Sequence, residues 1–455
     1  MTGFVKIKPS AMKKLLFMIA VMMLVISLFT SCFKDPLSPQ AKTYPSDVAV
    51  AWMNLHMKLT MTTPGFNSIV SDRSFAYAGL TLYESVVPGM KDYQSIAMQL
   101  GNVNLTSLPA YTAGAYFWPA SANAAMASIT RSLFASTSVA NMTTIDSLEK
   151  VFHTQFQSES SSTELNNSEA FGKQVATAIF EWSKTDGGHE ANLHVTSASY
   201  IPPTGPGLWI PTPPAFGAPI HPYWGNNRSF VPGIAAATQP AAPIAYSDDP
   251  TSPFYAMVNE LYTISLSLTH EDSTIVKFWG DLPVNFNVPA HATSILSQLV
   301  VSNHLKLDKA AFAYVKHGMA MYDASISVMK TKYTYNLIRP VSYIRGVMNH
   351  PGWNSVIPTP PHPEYSAAHA VISGAAVEVL EDIFGTHYSF TDHSYDNLYG
   401  ARTYASFDDY AKEAGHSRVL GGLHYKPSVM IGLIQGRKVC EAVNKLHFQK
   451  NGYGK

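Results

Sequence analysis

An all-α fold is what this sequence predicts, two packed helical bundles joined through an irregular Pro- and aromatic-rich excursion. Three observations predict it. Apolar residues recur at helical spacing from Ser46 onward, no stretch alternates as a half-buried strand would, and one long interruption divides the helices into two sets.

The helices follow in order. Val48, Ala51, Trp52, Leu55 and Leu59 fall on one face of the first. Phe75, Gly79, Leu82 and Val86 form a second stripe, closed by Pro88-Gly89. Ile145, Leu148, Phe152 and Phe156 form a third, with Asn141, Thr143 and Thr144 as cap candidates ahead of it. Further helices are expected over 164–184, 254–268, 292–304, 308–330, 369–384 and 428–448. The interruption, 201–243, carries Pro202, Pro203, Trp209, Pro211, Pro213, Pro214, Trp224 and Pro232. It is too aromatic for a disordered linker, so a packed, extended excursion lining a cleft mouth is expected. Residues 46–455 read as one domain: N-terminal helices over 46–200, the excursion, and catalytic helices over 250–455.

Charged residues make up 14% of the chain, below the ~25% usual for soluble proteins. Low charge raises the question of a membrane protein, and the apolar runs answer it. One run approaches membrane length, Leu15 to Phe29, behind Lys13 and Lys14 at the N-terminus; the next, 367–380, is too short and is broken by His369 and Gly374. The mature chain is therefore expected to be soluble. Thr30-Ser31-Cys32 after the apolar run resembles a bacterial lipoprotein signal. On that reading 1–31 is a signal peptide, Cys32 carries lipid and 32–45 is a tether. The protein would sit outside the cytoplasm, lipid-anchored to a bacterial membrane, at the outer membrane or cell surface. The two cysteines, Cys32 and Cys440, then leave no disulfide framework, and Cys440 reads as a packed helical residue. Net charge is zero without a basic run, which excludes nucleic acid as a partner. The sequence leaves the oligomeric state open. His189-Glu190 with His194 is discounted as a zinc site, because the second histidine comes one residue too late to share a helical face.

Three clusters in the last third carry the chemistry. Lys332 and Arg339 stand two helical turns apart, and Pro340 disfavours helix at the arginine. Ser366-Ala367-Ala368-His369, behind Pro360-Pro361-His362-Pro363, opens a helix whose first N–H groups and dipole favour an anion. In the third cluster Arg418 and His424 are six apart and would diverge on a regular helix, but Gly421-Gly422 supplies a bend. Three cations beside two histidines suit a tetrahedral oxyanion.

In order and spacing these clusters resemble the vanadium-dependent haloperoxidases and their relatives, the type-2 phosphatidic acid phosphatases. Less specific likenesses extend from about Asp47 to the C-terminus, among them Phe278-Trp279 and Gly432-x3-Gly436. The resemblance implies that Lys332, Arg339, Arg418 and the Ala368 N–H bind the oxyanion. It implies that His424 ligates vanadium, or attacks phosphorus in a phosphatase, and that His369 is the acid/base. Two positions depart from the family pattern. Ala367 stands where the family has Ser, a loss of one donor that would weaken oxyanion binding by ~1–3 kcal/mol. Ser428 stands where an aspartate usually orients the histidine, so His424 must be oriented by something else, such as a backbone carbonyl.

Three functions fit this cradle. The first is a haloperoxidase with vanadate as cofactor and hydrogen peroxide and halide as substrates. The second is a cofactor-free phosphomonoester hydrolase working through a phosphohistidine. The third is a non-catalytic oxyanion-binding lipoprotein. The solubility, the helix-rich frame and the Pro/aromatic segment favour the first.

Overall fold

The computed structural model describes residues 40–101, 105–112, 114–280, 282 and 284–450. Cys32 and the signal segment lie outside the described residues. Helices α1 (Asp47–Thr62), α2 (Ser68–Val86), α3 (Trp118–Leu133), α4 (Val139–Glu159) and α5 (Ser162–Ser183) make the N-terminal bundle. Their starts follow local chemistry. Asn67 accepts the Ile69 and Val70 N–H groups ahead of α2, and Ser161 with Glu164 forms a capping box on α5. The stripe read on α4 is the buried one at Ile145, Phe152 and Phe156.

The one-turn α6 (Ile234–Ala237) lies inside the excursion. Then come α7 (Pro253–Ser265), α8 (His270–Phe278), α9 (Val288–Ser302), α10 (Leu307–Tyr335), α11 (Pro340–Gly346) and α12 (Ala368–Phe384). A small antiparallel hairpin, β1 (Phe390–Asp392) with β2 (Arg402–Tyr404), pairs Phe390 with Tyr404 and Asp392 with Arg402. Helices α13 (Phe407–Leu420) and α14 (Lys426–Val443) finish the fold. Fourteen α-helices against two three-residue strands make the described chain all-α. The hairpin was not legible because three residues are too few to show alternation.

The long helix α10 is the spine, packed on α2 to one side and on α12 and α14 to the other. Glycines set how close these helices come. A Cβ at Gly79 would lie 2.6 Å from the Tyr314 carbonyl oxygen, and one at Gly318 would lie 2.7 Å from that of Phe75. At the α12–α14 crossing, a Cβ at Gly436 would lie 2.0 Å from the Val371 carbonyl oxygen. Any side chain there would force apart α12, which carries His369, and α14, which follows directly on the His424 turn.

The excursion is ordered by main-chain bonds to the first two clusters. The Trp209 N–H donates to Asn336 O at 2.6 Å, Ile338 N–H to Gly207 O at 2.9 Å, and Ile220 N–H to Pro361 O at 3.1 Å. Asp323 on α10 accepts the Phe230 and Val231 N–H groups, both at 2.8 Å. This segment is therefore a strap over the loops that bear Arg339 and His362. Ala41 is already buried and Leu307 N–H donates to Tyr44 O, so the end of the stretch read as a tether (32–45) packs into the helical body.

Candidate functional site: a buried cationic pocket

Lys332 lies in the last turn of α10, which stops at Asn336 in a left-handed conformation (φ 47°). The chain then turns back, and Arg339 becomes the extended N-cap of α11 ahead of Pro340. Both side chains are completely buried. The Lys332 ammonium donates to the carbonyls of Pro363 (2.9 Å), Glu364 (2.9 Å) and Ser366 (2.6 Å), so the first cluster holds the loop of the second. Arg339 donates through Nε to His362 O at 2.9 Å and through Nη1 to Leu423 O at 2.9 Å. The same Nη1 lies 3.2 Å from His424 Nε2, and Nη2 lies 3.0 Å from His362 Nδ1. The first cluster thus touches both others.

Gly422 (φ 74°) ends α13, and the Leu423 and His424 N–H groups return to Arg418 O at 3.0 and 3.2 Å. That turn brings His424 back beside Arg418, as the glycine pair led one to expect. Arg418 Nη1 donates to the Trp279 carbonyl at 2.8 Å, and His369 also bonds to the Trp279 backbone. All five side chains read from the sequence, Lys332, Arg339, His369, Arg418 and His424, meet in one buried cluster. Ser417 does not join it, because its hydroxyl turns back to Ala414 O.

Two departures from the family pattern look different in three dimensions. The Ala367 side chain packs with Ala370, Val419 and Val429 in a small apolar cluster, and its N–H donates to Ser428 O at 3.2 Å. As N-cap of α12 it offers no side-chain acceptor to the first turn. Ala368, half-buried, is the first residue of that helix, so its N–H is among those with no intrahelical acceptor.

The second departure requires a correction. His424 is oriented by a carboxylate, not by a backbone carbonyl: its Nδ1 lies 2.9 Å from Glu364 Oε1. Tyr425 N–H donates to the same oxygen at 3.0 Å, and Ser428 Oγ donates to Oε2 at 2.8 Å. The carboxylate comes from the second cluster, and Ser428 holds it. The sequence offered a signal, since Glu364 is a lone acid in a run of prolines and small residues. Nothing local tied it to a histidine sixty positions later. His362 was missed likewise; it is buried against Arg339 as a third imidazole of the pocket.

Electrostatics follow from burial. Desolvation, then Arg339, Lys332 and Arg418, hold the His424 imidazole well below its ordinary pKa, so it is neutral. A neutral ring facing a carboxylate through Nδ1 carries its proton there, which leaves the Nε2 lone pair turned to Arg339. Burial also lowers Lys332, with Arg339 adding to it and Glu364 opposing, and it lowers Arg339 to about 10. Burial raises Glu364, while Lys332, Arg339, Ser428 and Tyr425 draw it back, and the Tyr425 N–H and Ser428 O–H donated to its oxygens favour the carboxylate form. Desolvation, then Arg418, likewise keeps His369 neutral.

Three buried cations thus meet one buried carboxylate beside a helix N-terminus. Such an excess of positive charge fits an oxyanion, vanadate or phosphate, with His424 Nε2 as the imidazole available to its central atom. In this structure the donors of Lys332 and Arg339 bond main-chain carbonyls and imidazoles, so both contribute mainly charge and wall rigidity.

Residues 312–451 match the family model for the VCPO second helical-bundle domain. No curated protein sequence matches the chain. Among solved structures, the crystal structure of the first bacterial vanadium-dependent iodoperoxidase is 31% identical. The match covers 90% of this chain and 98% of that one, with a TM-score of 0.79. A holo-type bacterial vanadium-dependent chloroperoxidase (14% identity, 84% and 92% covered, TM-score 0.64) and an apo-type one (14%, 83% and 93%, TM-score 0.66) share the fold. The chain belongs to the vanadium-dependent haloperoxidase family.

Proposed function

We propose that this protein is a vanadium-dependent haloperoxidase that oxidises halide with hydrogen peroxide, with iodide as the first halide to test. The observation that carries the reading is the Glu364–His424–Arg339 line. A carboxylate fixes the imidazole tautomer, and Nε2, beside Arg339 Nη1, faces a pocket of three cations. Similarity to an iodoperoxidase over nearly that protein's whole length supports the choice among chemistries.

In this reading vanadate, when bound, acts as a Lewis acid that activates peroxide without changing oxidation state. His424 supplies the ligand nitrogen. Lys332, Arg339 and Arg418 neutralise the oxyanion, and the Ala368 N–H adds a donor at the positive end of α12. His369, neutral and beside Arg418, takes a proton from incoming peroxide and returns it to the departing oxygen. Burial of the whole pocket excludes bulk water and strengthens each of these interactions.

Glu364 also serves a second reading, because a carboxylate behind His424 would raise its nucleophilicity toward phosphorus. A paired assay on one preparation decides: iodide oxidation with vanadate and peroxide, and phosphomonoester hydrolysis without either. Oxidation with negligible hydrolysis supports the proposal. Hydrolysis alone assigns the protein to phosphate chemistry, and neither activity leaves an oxyanion binder. The lipoprotein-like signal before Cys32 supports placing the enzyme on an extracytoplasmic membrane face.

A further inference from the structure

A second histidine–carboxylate pair lies behind His369. His291 on α9 places Nε2 at 2.7 Å from Asp392 Oδ2 on β1, and both residues are buried. The His291 ring stacks on Trp279 with centroids 4.6 Å apart, the same residue whose backbone bonds His369 and Arg418. His291 and His369 line one small cavity with Trp279, Ser373 and Tyr410. Its free volume, about 10 Å³, is that of a single water site.

The outer side of the pair leads to solvent. Asp392 Oδ1 accepts from Ser394 N–H at 2.8 Å and from Gln298 Nε2 at 3.3 Å. The Ser394 hydroxyl also bonds this carboxylate and lies 2.9 Å from the Ser294 hydroxyl. Ser294 and Gln298 line a groove of about 640 Å³ that shares no lining residue with the cationic pocket and is bordered by the exposed His393. A continuous polar line therefore runs from groove to cavity: Ser294, Ser394, Asp392, His291.

The proposed reaction needs such a line. Hydrogen peroxide, halide and one proton give hypohalous acid and water; the halide loses two electrons, the O–O bond takes them and breaks, and one proton is consumed per turnover. His369 is buried, and the oxyanion pocket beside it is walled by Lys332, Arg339 and Arg418, cations that repel hydronium. Resting on the haloperoxidase reading, we propose that His291 and Asp392 are a positioning pair that relays protons from the outer groove, through one water in the shared cavity, to His369. Burial pushes the Asp392 carboxyl up, but His291 and Ser394 outweigh it and hold it below the usual range, so it stays ionised opposite the His291 ring. The other titratable or charged groups around His291 are Tyr395, Tyr410, His369, and Arg418 and Glu413 at the two ends of Trp279. Glu413 is held by Trp279 Nε1, Arg402 and Tyr404, so Asp392 is the carboxylate bonded to the ring.

The test uses the full chain and His291→Phe, which keeps a ring on Trp279 and removes both nitrogens. Inorganic phosphate affinity, read by calorimetry, should stay within about twofold of the unmodified protein. Turnover with iodide should fall roughly tenfold or more at unchanged KM, with a larger solvent deuterium isotope effect. Asp392→Asn should do the same, and His291→Gln should recover part of the rate. Independently of activity, NMR of 15N-histidine protein should show slower exchange of the His369 ring proton with water in His291→Phe. If the unmodified protein oxidises no halide, the haloperoxidase reading fails and the exchange measurement alone decides the relay. Unchanged His369 exchange, or turnover and isotope effect equal to the unmodified protein, overturns it. Should His291→Phe not fold, Ser394→Ala on the groove side carries the same expectations.

Discussion

Glu364 Oε1 lies 2.9 Å from His424 Nδ1, and this bond links two loops sixty residues apart into one functional unit. Glu364→Gln keeps the shape but takes away the carboxylate that orients His424 through Nδ1, so vanadate, which needs the ring nitrogen Nε2, should bind more weakly by about 1.5–3 kcal/mol, measured by calorimetry. Ser428→Ala, which removes one donor from the carboxylate, should cost less, about 0.5–1.5 kcal/mol. Combining Glu364→Gln with Ser428→Asp should restore part of the affinity, because it moves the carboxylate to the first turn of α14, behind the same imidazole. No recovery in the double variant would mean that Glu364 matters for folding its loop rather than for orienting His424.

Binding and turnover should separate between the two histidines. His424→Ala removes the one nitrogen aimed at the oxyanion, so it should abolish stoichiometric vanadate binding. Arg339→Ala or Arg418→Ala should each cost about 1.5–3 kcal/mol of oxyanion affinity, because two cations remain. His369→Ala should leave affinity nearly unchanged and depress turnover. The reverse pattern, with His369→Ala abolishing binding and His424→Ala sparing it, would exchange the roles assigned here.

Gly422 is the hinge of the third cluster. Its φ of 74° strains any side chain, and a Cβ would meet the Trp353 ring at 2.8 Å. Gly422→Ala should destabilise the protein by about 1–3 kcal/mol. It should also weaken oxyanion binding, since the turn is what returns His424 to Arg418. Denaturant unfolding and phosphate calorimetry on the same variant check both; a stability loss with intact affinity would show that the turn tolerates the change.

Acid should unfold the protein in part through buried histidines remote from the site. His317 on α10 is 1% exposed, and neither ring nitrogen has a hydrogen-bond partner among the described residues. Desolvation pushes it down to about 3 from the ordinary 6.5. The native state therefore binds fewer protons than the unfolded one between those values. Stability is fully present above about pH 6.5 and is lost as pH falls toward 3, at ~1.4 kcal/mol per pH unit for this group. His317→Leu should flatten the pH dependence of unfolding by that amount over this window. An unchanged slope would place the proton uptake elsewhere, with His56 the next candidate, also held at about 3 by burial.

Membrane attachment is tested at Cys32. Cys32→Ser should release the protein from the membrane fraction or block its maturation, because one cleaved signal leaves no anchor. Unchanged partition after that substitution would reject lipidation.

Periodicity and punctuation in the sequence determined nine of the fourteen described helices, the three clusters and the bend at Gly421-Gly422, but not Trp118–Leu133, Ile234–Ala237, His270–Phe278, Pro340–Gly346 or Phe407–Leu420. These are local quantities: helical stripes repeat within a few turns, and glycine and proline act on their own φ angles. Tertiary structure decided what required contact across distance. It assigned Glu364 to His424, turned Ala367 into the packed apolar cluster, put His362 against Arg339, and laid the excursion across the Arg339 loop. It also set the direction of the Lys332 and Arg339 donors, toward main-chain carbonyls. A carboxylate carries no mark of which imidazole it will meet. That pairing comes from helices crossing at glycines such as Gly436, whose missing side chains let α12 and α14 bring two distant loops within one hydrogen bond.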